Sequence, residues 1–358
     1  MRARELGARV LLSLATATVA LGGAEAIYRA KLAAGDAPDG GDDEWRARYR
    51  RMNETLYRRS DDPELIYEPV PGASVEMEYG TASFNSAGMR DDREHPLRSE
   101  RPRLALIGDS LVWSEFVALE DSLARRTEEA LGGEWEVLAF GVTGYDTTQE
   151  AAWYERAARP FSPDAVAVVW CMNDLMIMSG PFERYANAEE RARKDAQEAL
   201  MERVAPVRRE TIDAVLERRE REATFKILAR ALGLYARWRF DASYVDEYLV
   251  SYRRRDARER ARRALARLGR AIRADGARPI LVISPVLESW DAYHWRPIHR
   301  FVRGAGERAG FTVVDPLDAW RAEHAPEDLR IGGDNLHYDA GGLRVLARAI
   351  ADAVRATR

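Results

Sequence analysis

Residues 103–113 read RLALIGDSLVW, and this stretch decides the fold. Residues 104–107 form a continuous apolar run, which is typical of a strand buried on both faces of a parallel sheet. Gly108 ends the run, and polar residues follow before an apolar segment resumes. Reactive groups of open α/β sheets lie at the carboxyl ends of strands, so the pattern predicts that Ser110 opens a helix and exposes its hydroxyl as a candidate nucleophile.

A second polar motif lies near the far end of the chain, where Asp334 and His337 stand three positions apart. On one helical turn, side chains at this spacing face the same way, so the carboxylate can orient and stabilise the imidazole. An imidazole held in this way can take the proton of a serine hydroxyl. Ser110, His337 and Asp334 are therefore a candidate nucleophile, base and orienting acid. The alternative for Ser110 is a structural role as the N-cap of the helix that follows.

Four segments in chain order resemble the motif blocks of the SGNH (GDSL-type) hydrolases. They are GDSL at 108–111, Gly141 within LAFGVTGY, Asn173-Asp174 after the apolar run 165–170, and DNLH at 334–337. Each block alone is common by chance, but four in this order, each where a strand is expected to end, are specific. The resemblance covers the chain from about Arg103 to the C-terminus.

The resemblance implies a role for each matching residue. Ser110 is the implied nucleophile, His337 the general base and then acid, and Asp334 the residue that orients the histidine. The implied oxyanion hole consists of the backbone N–H of Ser110 or its neighbour, the N–H of Gly141 and the side-chain amide of Asn173. Such preorganised neutral donors stabilise the negative charge that a tetrahedral intermediate concentrates on one oxygen. We expect no cofactor and no metal ion.

Two positions depart from the family's pattern. Cys171 stands where the family usually has a glycine, and Ala139 replaces an asparagine that often precedes the block glycine. Neither position is expected to donate a group to the chemistry, so the departures concern local packing. The Gly-x-Ser-x-Gly elbow of the α/β-hydrolases is absent, because the residue two after Ser110 is Val112.

Strands and helices alternate through the second part of the chain, which predicts a parallel sheet with helices on both faces. The expected strands are 104–107, 137–140, 165–170, 279–284 and 312–314. Expected helices open at Asp121 and at a Thr147–Glu150 capping box, and a last helix runs over 340–356. The resemblance adds a flavodoxin-like strand order, so the expected α/β fold has three layers, α/β/α, around a five-stranded parallel sheet.

The chain divides into three predicted segments. These are a signal-anchor or signal peptide at 1–30, a linker with a small helix and hairpin at 31–100, and the hydrolase domain at 101–358. A helical insertion is expected at about 180–255. Its apolar residues between 225 and 238 recur at helical spacing, which leaves three interpretations: packing on the main domain, a lid over the site, or a lipid-contacting surface.

Three arginines lie among the first nine residues, and an uncharged run follows over residues 10–24. This run is shorter than the ~20 residues that span a bilayer comfortably. Ala24-Glu25-Ala26 fits a small-x-small cleavage site, which would release a secreted or periplasmic protein. We expect instead an uncleaved signal-anchor that holds the protein in the membrane with its catalytic domain outside the cytoplasm.

Composition narrows the class of protein. Hydrophobic residues make up 46% of the 358-residue chain and charged residues 32%, which is typical of a globular protein. The formal net charge of -4 gives no argument for binding nucleic acid, and the single cysteine excludes an internal disulfide. The other histidines show no spacing for metal ligation and are expected at the surface or in loops: His95, His294, His299 and His324.

Aromatic residues near the expected strand ends are candidate substrate contacts. These are Trp113, Trp290, Tyr293 and Trp295, whose alternative role is loop packing. We expect an exported serine esterase that hydrolyses O-acyl esters of a small molecule, lipid or glycan through an acyl-enzyme at Ser110. Two alternatives stay open: an O-acyltransferase that acts on envelope glycans through the same triad, and a non-catalytic glycan-binding or assembly protein that retains the fold.

Overall fold

The structure is a computed structural model that describes residues 41–175, 185, 188, 191, 252, 254–288, 290–293, 295–332 and 335–357. Within these ranges the strands are β1 (Tyr57–Arg59), β2 (Tyr67–Pro69), β3 (Ser74–Met77), β4 (Gly80–Ser83), β5 (Arg103–Gly108), β6 (Glu136–Gly141), β7 (Ala165–Trp170), β8 (Arg278–Ile283) and β9 (Thr312–Val314). The α-helices there are α1 (Gly41–Leu56), α2 (Ser110–Trp113), α3 (Leu123–Ala130), α4 (Thr147–Trp153), α5 (Arg255–Ala274), α6 (Arg296–Arg308), α7 (Leu317–Glu323) and α8 (Ala340–Ala356).

A parallel sheet of five strands lies at the centre of the fold, in the order β6-β5-β7-β8-β9. Every residue of β5 and β7 is buried, which explains why their sequences are nearly continuous apolar runs. The order is flavodoxin-like, and the predicted fold class is confirmed. Each strand of the sheet begins and ends within one residue of its predicted bounds.

Helices flank the sheet in two groups. α3 packs with α8, and α4 packs with α5, which also contacts α6. α8 begins and ends at the predicted residues and buries Leu343, Leu346 and Ile350 along one side. Asp339 caps this helix by accepting a hydrogen bond from the Gly342 N–H at 2.8 Å.

A small region formed by α1 and β1 to β4 packs on the loop that follows β6. β1 pairs with β2, and β3 forms a hairpin with β4, both antiparallel. The Tyr67 hydroxyl donates to the Thr143 carbonyl at 2.7 Å, and the Tyr145 hydroxyl donates to the Tyr67 carbonyl at 2.5 Å. These contacts bring β2 against the carboxyl end of β6, where the candidate site lies.

Two helix starts differ from the sequence prediction. α3 is capped by Ser122, whereas Asp121 lies in the short 3-10 turn before it. α4 is capped by Asp146 in a capping box with Gln149, one residue earlier than the predicted box that ended at Glu150. Asp146 accepts hydrogen bonds from two backbone N–H groups at this cap. The Glu150 side chain takes no part in the cap and is buried.

Some predictions fall outside the described residues. The segment 1–30 and the apolar segment 225–238 of the expected insertion at about 180–255 are both among them. In the described part of the chain, no helix combines the length and apolarity needed to cross a membrane. The residues of the candidate site belong to one compact unit, which consists of residues 48–200 and 248–358.

Candidate active site

β5 places Ser110 at the carboxyl edge of the sheet. Asp109 caps α2, since its Oδ1 accepts a hydrogen bond from the Leu111 N–H at 3.0 Å. The alternative in which Ser110 is the N-cap is therefore wrong, because the carboxylate one position earlier already fills that role. The Ser110 hydroxyl is not used in capping and remains for another contact.

His337 supplies that contact. Its Nε2 lies 2.9 Å from Ser110 Oγ, which is a hydrogen-bonding distance. Residues 335–337 are not helical, so the helical turn predicted for the Asp-x-x-His motif is wrong. Asp334 lies outside the described residues, and its role in orienting the histidine stays a prediction.

The backbone around His337 is fixed by β-type contacts instead of a helix. Arg330 and Tyr338 form an isolated antiparallel bridge, and the His337 carbonyl accepts a hydrogen bond from the Ile331 N–H at 3.2 Å. The Tyr338 hydroxyl donates to the Pro285 carbonyl at 2.7 Å. Because Pro285 follows β8, the fourth strand of the sheet anchors the segment that carries the histidine.

Two of the predicted oxyanion residues lie at the carboxyl ends of the strands that flank β5. Gly141 ends β6, and a Cβ at this position would overlap the backbone of Trp113, so glycine lets β6 and α2 approach each other. Asn173 follows β7, and its Nδ2 donates a hydrogen bond to Asp109 Oδ2 at 2.9 Å. The amide is thereby fixed beside the nucleophile, while its role as an oxyanion donor stays a prediction.

Both departures from the family's pattern are buried in the core. Ala139 lies within β6, and Cys171 follows β7 with 3% of its surface exposed. Burial raises the pKa of the Cys171 thiol well above its ordinary range, so the thiol is neutral. The Cys171 N–H donates to Asp174 Oδ2 at 2.9 Å, which closes the turn that carries Asn173.

Four buried acids lie near the nucleophile at the same edge: Asp109, Asp146, Glu150 and Asp174. Neither carboxylate oxygen of Glu150 has a hydrogen-bond partner among the described residues. Burial raises the pKa of Glu150 well above its ordinary range, and the negative charges of Asp109 and Asp146 raise it further. The pKa of Asp174 is also raised, by burial first and then by Glu150. Burial thus favours the neutral form of each of these two carboxyl groups.

Sequence reasoning missed Glu115, a buried carboxylate in contact with His337. Glu115 Oε2 lies 3.6 Å from His337 Nε2. Its neighbours adopt left-handed conformations, with φ of 58° at Ser114 and 69° at Phe116, so the chain bends tightly here. The Phe116 ring packs edge-on against the imidazole with centroids 5.1 Å apart. The signal in the sequence was one acid within the largely apolar segment 111–119 that follows Ser110.

The four candidate substrate contacts are all buried. Trp113 is fully buried and packs against Phe84 with ring centroids 4.3 Å apart. The other three each form a hydrogen bond inside the protein: Trp290 with His324, Tyr293 with His299 and Trp295 with Glu288. Burial favours the packing interpretation, and a contact with substrate stays a prediction.

The described ranges contain no group of three or more His, Cys, Asp or Glu side chains that could hold a metal ion. Two histidines expected at the surface or in loops are enclosed instead. The His95 ring lies 3.0 Å from Asp91 and 2.7 Å from Glu136, and His299 is buried in α6 at 3.0 Å from Asp315. The expectation is wrong for His299, which lies in a helix, whereas His95 lies in a loop as expected but with its ring enclosed. Each ring has a carboxylate partner, which offsets the cost of burial.

A flavodoxin-like parallel sheet with a serine directly after its second strand, β5, and a histidine hydrogen bonded to that serine is the arrangement of a serine ester hydrolase. The chain belongs to the GDSL-like Lipase/Acylhydrolase family, whose match spans residues 106–345. This span runs from β5 into α8 and contains every predicted catalytic residue. No sequence among the curated proteins matches the chain.

Solved structures of hydrolases show a distant similarity. Axe2, an acetylxylan esterase from Geobacillus stearothermophilus, is 17% identical with a TM-score of 0.41, over 73% of this chain and 96% of that one. LAE5, an α/β hydrolase enzyme from the metagenome of Lake Arreo in Spain, is 16% identical with a TM-score of 0.40, over 72% and 96%. The lipase/acylhydrolase from Enterococcus faecalis is 12% identical with a TM-score of 0.40, over 72% and 96%. These identities and TM-scores are too low to support the family assignment, which rests on the sequence match over residues 106–345.

Proposed function

We propose that the protein is an exported serine esterase that hydrolyses O-acyl ester bonds of glycans or lipids through an acyl-enzyme at Ser110. The observation that carries the proposal is the 2.9 Å contact between Ser110 Oγ and His337 Nε2 at the carboxyl edge of the sheet. Membership of the acylhydrolase family supports ester hydrolysis in general.

The same contact supports the following proton transfers. His337 Nε2 takes the Ser110 proton as the oxygen attacks the ester carbonyl carbon, and then returns it to the leaving alcohol. The nitrogen next activates a water molecule, which attacks the acyl-enzyme and releases the acid. Asp334 would accept a hydrogen bond from the other ring nitrogen, which keeps Nε2 free to act as the base.

Three donors would stabilise the tetrahedral intermediate: the N–H groups of Ser110 and Gly141 and the side-chain amide of Asn173. The hydrogen bond from Asn173 Nδ2 to Asp109 supports this role, because it uses one amide hydrogen and leaves the second for the oxyanion. Loss of one such donor lowers kcat by roughly a hundredfold or more.

The proposed location of the catalytic domain is outside the cytoplasm, tethered by an N-terminal signal-anchor. The arginines before the uncharged run 10–24 support this orientation, and the sequence of residues 33–40, before α1, is typical of a flexible linker. Cleavage near Ala26 would give a secreted or periplasmic protein instead. Removal of residues 1–30 is expected to move the protein from the membrane fraction to the soluble fraction, and persistence in the membrane fraction would exclude the anchor.

Turnover of short p-nitrophenyl acyl esters tests the esterase. We expect Ser110→Ala to lower kcat by roughly a thousandfold or more, because the nucleophile is lost. The control is Ser99→Ala at an exposed serine, which should leave kcat unchanged. Equal turnover by Ser110→Ala and the parent protein would exclude Ser110 as the nucleophile.

An O-acyltransferase acting on envelope glycans would use the same residues, since only the acceptor of the acyl group differs. Added glycan separates the two activities. A transferase forms acylated glycan at the expense of free acid, whereas an esterase releases acid at an unchanged rate. A non-catalytic protein that retains the fold would bind glycan and turn over no ester.

A further inference from the structure

We propose that Glu115 is a second carboxylate of the catalytic site, which stabilises the protonated form of His337 from the side of the nucleophile. The inference rests on the proposed function of Ser110 and His337, and it assigns a role to a residue outside the four motif blocks. Glu115 Oε2 lies 3.6 Å from His337 Nε2, the same nitrogen that contacts Ser110 Oγ at 2.9 Å. The carboxylate therefore faces the atom that holds the proton during the reaction.

The pair is enclosed, which makes the charge of Glu115 effective. The Glu115 side chain is 1% exposed and that of His337 is 18% exposed. The Phe116 ring covers the imidazole edge-on. An exposed ion pair contributes little because water and salt screen it, whereas an enclosed carboxylate at this distance biases the protonation of an imidazole strongly.

The surroundings of Glu115 suit an ionised carboxylate. Among the described residues, groups that interact electrostatically with Glu115 besides His337 include Tyr49 of α1, Tyr57 of β1, Tyr79 between β3 and β4, and Arg90. Burial raises the pKa of the Tyr49 phenol well above its ordinary range, and the charge of Glu115 and a hydrogen bond to it raise that pKa further. A phenol that keeps its proton donates to the carboxylate and favours its charged form.

Arg90 adds a buried positive charge and also fixes the bend that carries Glu115. Its guanidinium donates to the carbonyls of Trp113 at 2.6 Å and Val117 at 2.5 Å, and to that of Ser114. These acceptors lie on both sides of Glu115 in the chain. The bend and its two left-handed residues are therefore held in place by a side chain from the segment that precedes β5.

Glu115 keeps its charge throughout the proposed step. As Ser110 Oγ bonds to the carbonyl carbon, the carbonyl π pair moves onto oxygen and the hydroxyl proton moves to His337 Nε2. The new imidazolium lies beside Glu115 Oε2. When the bond between the carbonyl carbon and the leaving oxygen breaks, Nε2 returns the proton to that oxygen. Glu115 thus stabilises the charged intermediate more than the resting state, which accelerates both acylation and deacylation.

Glu115→Gln tests the role of the charge, because it preserves the size of the side chain and an acceptor for Tyr49. We expect kcat on a short acyl ester to fall about tenfold or more, and the acid limb of kcat/KM to move to lower pH by about one pH unit. The matched control is Glu120→Gln at an exposed glutamate of the same connection, which should change neither quantity. A lower kcat with an unmoved acid limb would show a merely structural role and overturn the proposal.

Proton NMR titration of His337 in Ser110→Ala protein separates this inference from the proposed function, since it requires no turnover. We expect the imidazole to titrate at higher pH with Glu115 present than in Glu115→Gln, and equal midpoints would overturn the inference even if esters are hydrolysed. If Glu115→Gln does not fold, Asp334→Asn with Glu115 intact replaces it. His337 must then still titrate above the ~6.5 of an unperturbed histidine, and a midpoint at or below that value would overturn the inference.

Discussion

Buried acids occur at both ends of the central sheet, and at the amino end they are paired with cations. Arg103 Nε donates to Glu136 Oε2 at 2.6 Å, where β5 and β6 begin, and the His95 ring bridges Glu136 and Asp91 at 2.7 and 3.0 Å. Burial alone would raise the pKa values of Asp91 and Glu136. Hydrogen bonds from His95, Arg93 and Arg103 outweigh burial, so both pKa values lie below their ordinary range.

At the carboxyl end, the acids have far fewer cationic partners among the residues that the structure describes. Burial is the first cause of the raised pKa values of Asp146, Glu150 and Asp174. Arg260 lies 3.8 Å from Asp146 and lowers its pKa, but does not outweigh burial. The same chemical group is therefore held charged at one end of the sheet and biased toward its neutral form at the other.

The acids at the two ends of the sheet therefore differ in role. Those at the amino end stabilise the fold, and those at the carboxyl end surround the candidate active site. Paired charges at the amino end tie β5 and β6 to the segment around His95. A bias of Glu150 toward its neutral form lowers the negative charge near the nucleophile that would oppose an oxyanion. Glu115, as proposed, is the exception at the carboxyl end, and its charge faces His337.

The largest effect on stability is expected from a substitution that breaks the ion pairing at the amino end of the sheet. Arg103→Met removes a buried cation and leaves Glu136 without its closest partner, which is expected to lower the free energy of unfolding by about 3–5 kcal/mol. The Arg103 guanidinium also donates to the Pro96 and Phe161 carbonyls, at 2.6 and 3.0 Å. A single water molecule therefore cannot easily replace all of its hydrogen bonds.

Urea unfolding of Arg103→Met and of Arg101→Met measures this effect. Arg101 pairs with Glu128 at 3.1 Å, but its side chain is 46% exposed, so its loss should cost less than about 1 kcal/mol. Equal losses in the two variants would show that burial does not strengthen the amino-end pairing.

A smaller effect of opposite sign is expected at the carboxyl end. The pKa of Glu150 is higher in the folded than in the unfolded chain, so the folded state loses stability as pH rises above the unfolded value of about 4.3. The glutamine in Glu150→Gln does not titrate. The free energy of unfolding of this variant, relative to that of the parent protein, should therefore increase by on the order of 1 kcal/mol between pH 4 and pH 8. Unfolding free energies at both pH values test this, and a relative loss of stability at pH 8 would show that Glu150 is charged in the fold.

The smallest expected effect concerns His95. Burial lowers its pKa, but hydrogen bonds with Asp91 and Glu136 outweigh burial and raise it. A raised folded pKa gives stability that is present below the unfolded value of about 6.5 and is lost as pH rises through the folded value. His95→Gln should therefore destabilise the protein more at pH 6 than at pH 9, by less than about 1 kcal/mol. Urea unfolding at both pH values measures this difference, and a larger loss at pH 9 than at pH 6 for His95→Gln would contradict the pairing.

The sheet was predictable because its strands are apolar runs that suit burial on both faces. The motif blocks also named Ser110 and His337 as partners, and the two side chains are in contact. The helix starts were less predictable. Adjacent Asp and Thr residues compete for one cap, and local sequence does not show that Asp146 fills it and Glu150 turns inward. Glu115 gave little signal, since its contact depends on distant segments and on a left-handed backbone at two non-glycine residues.

The site of the adduct formed by a fluorophosphonate probe, located by peptide mass spectrometry, tests the central claim most directly. Such probes react with a serine that a neighbouring base has activated. We predict one adduct per chain, on Ser110, which is absent from Ser110→Ala and forms far more slowly in His337→Gln. An adduct on another serine, or unchanged labelling of Ser110→Ala, would contradict the account.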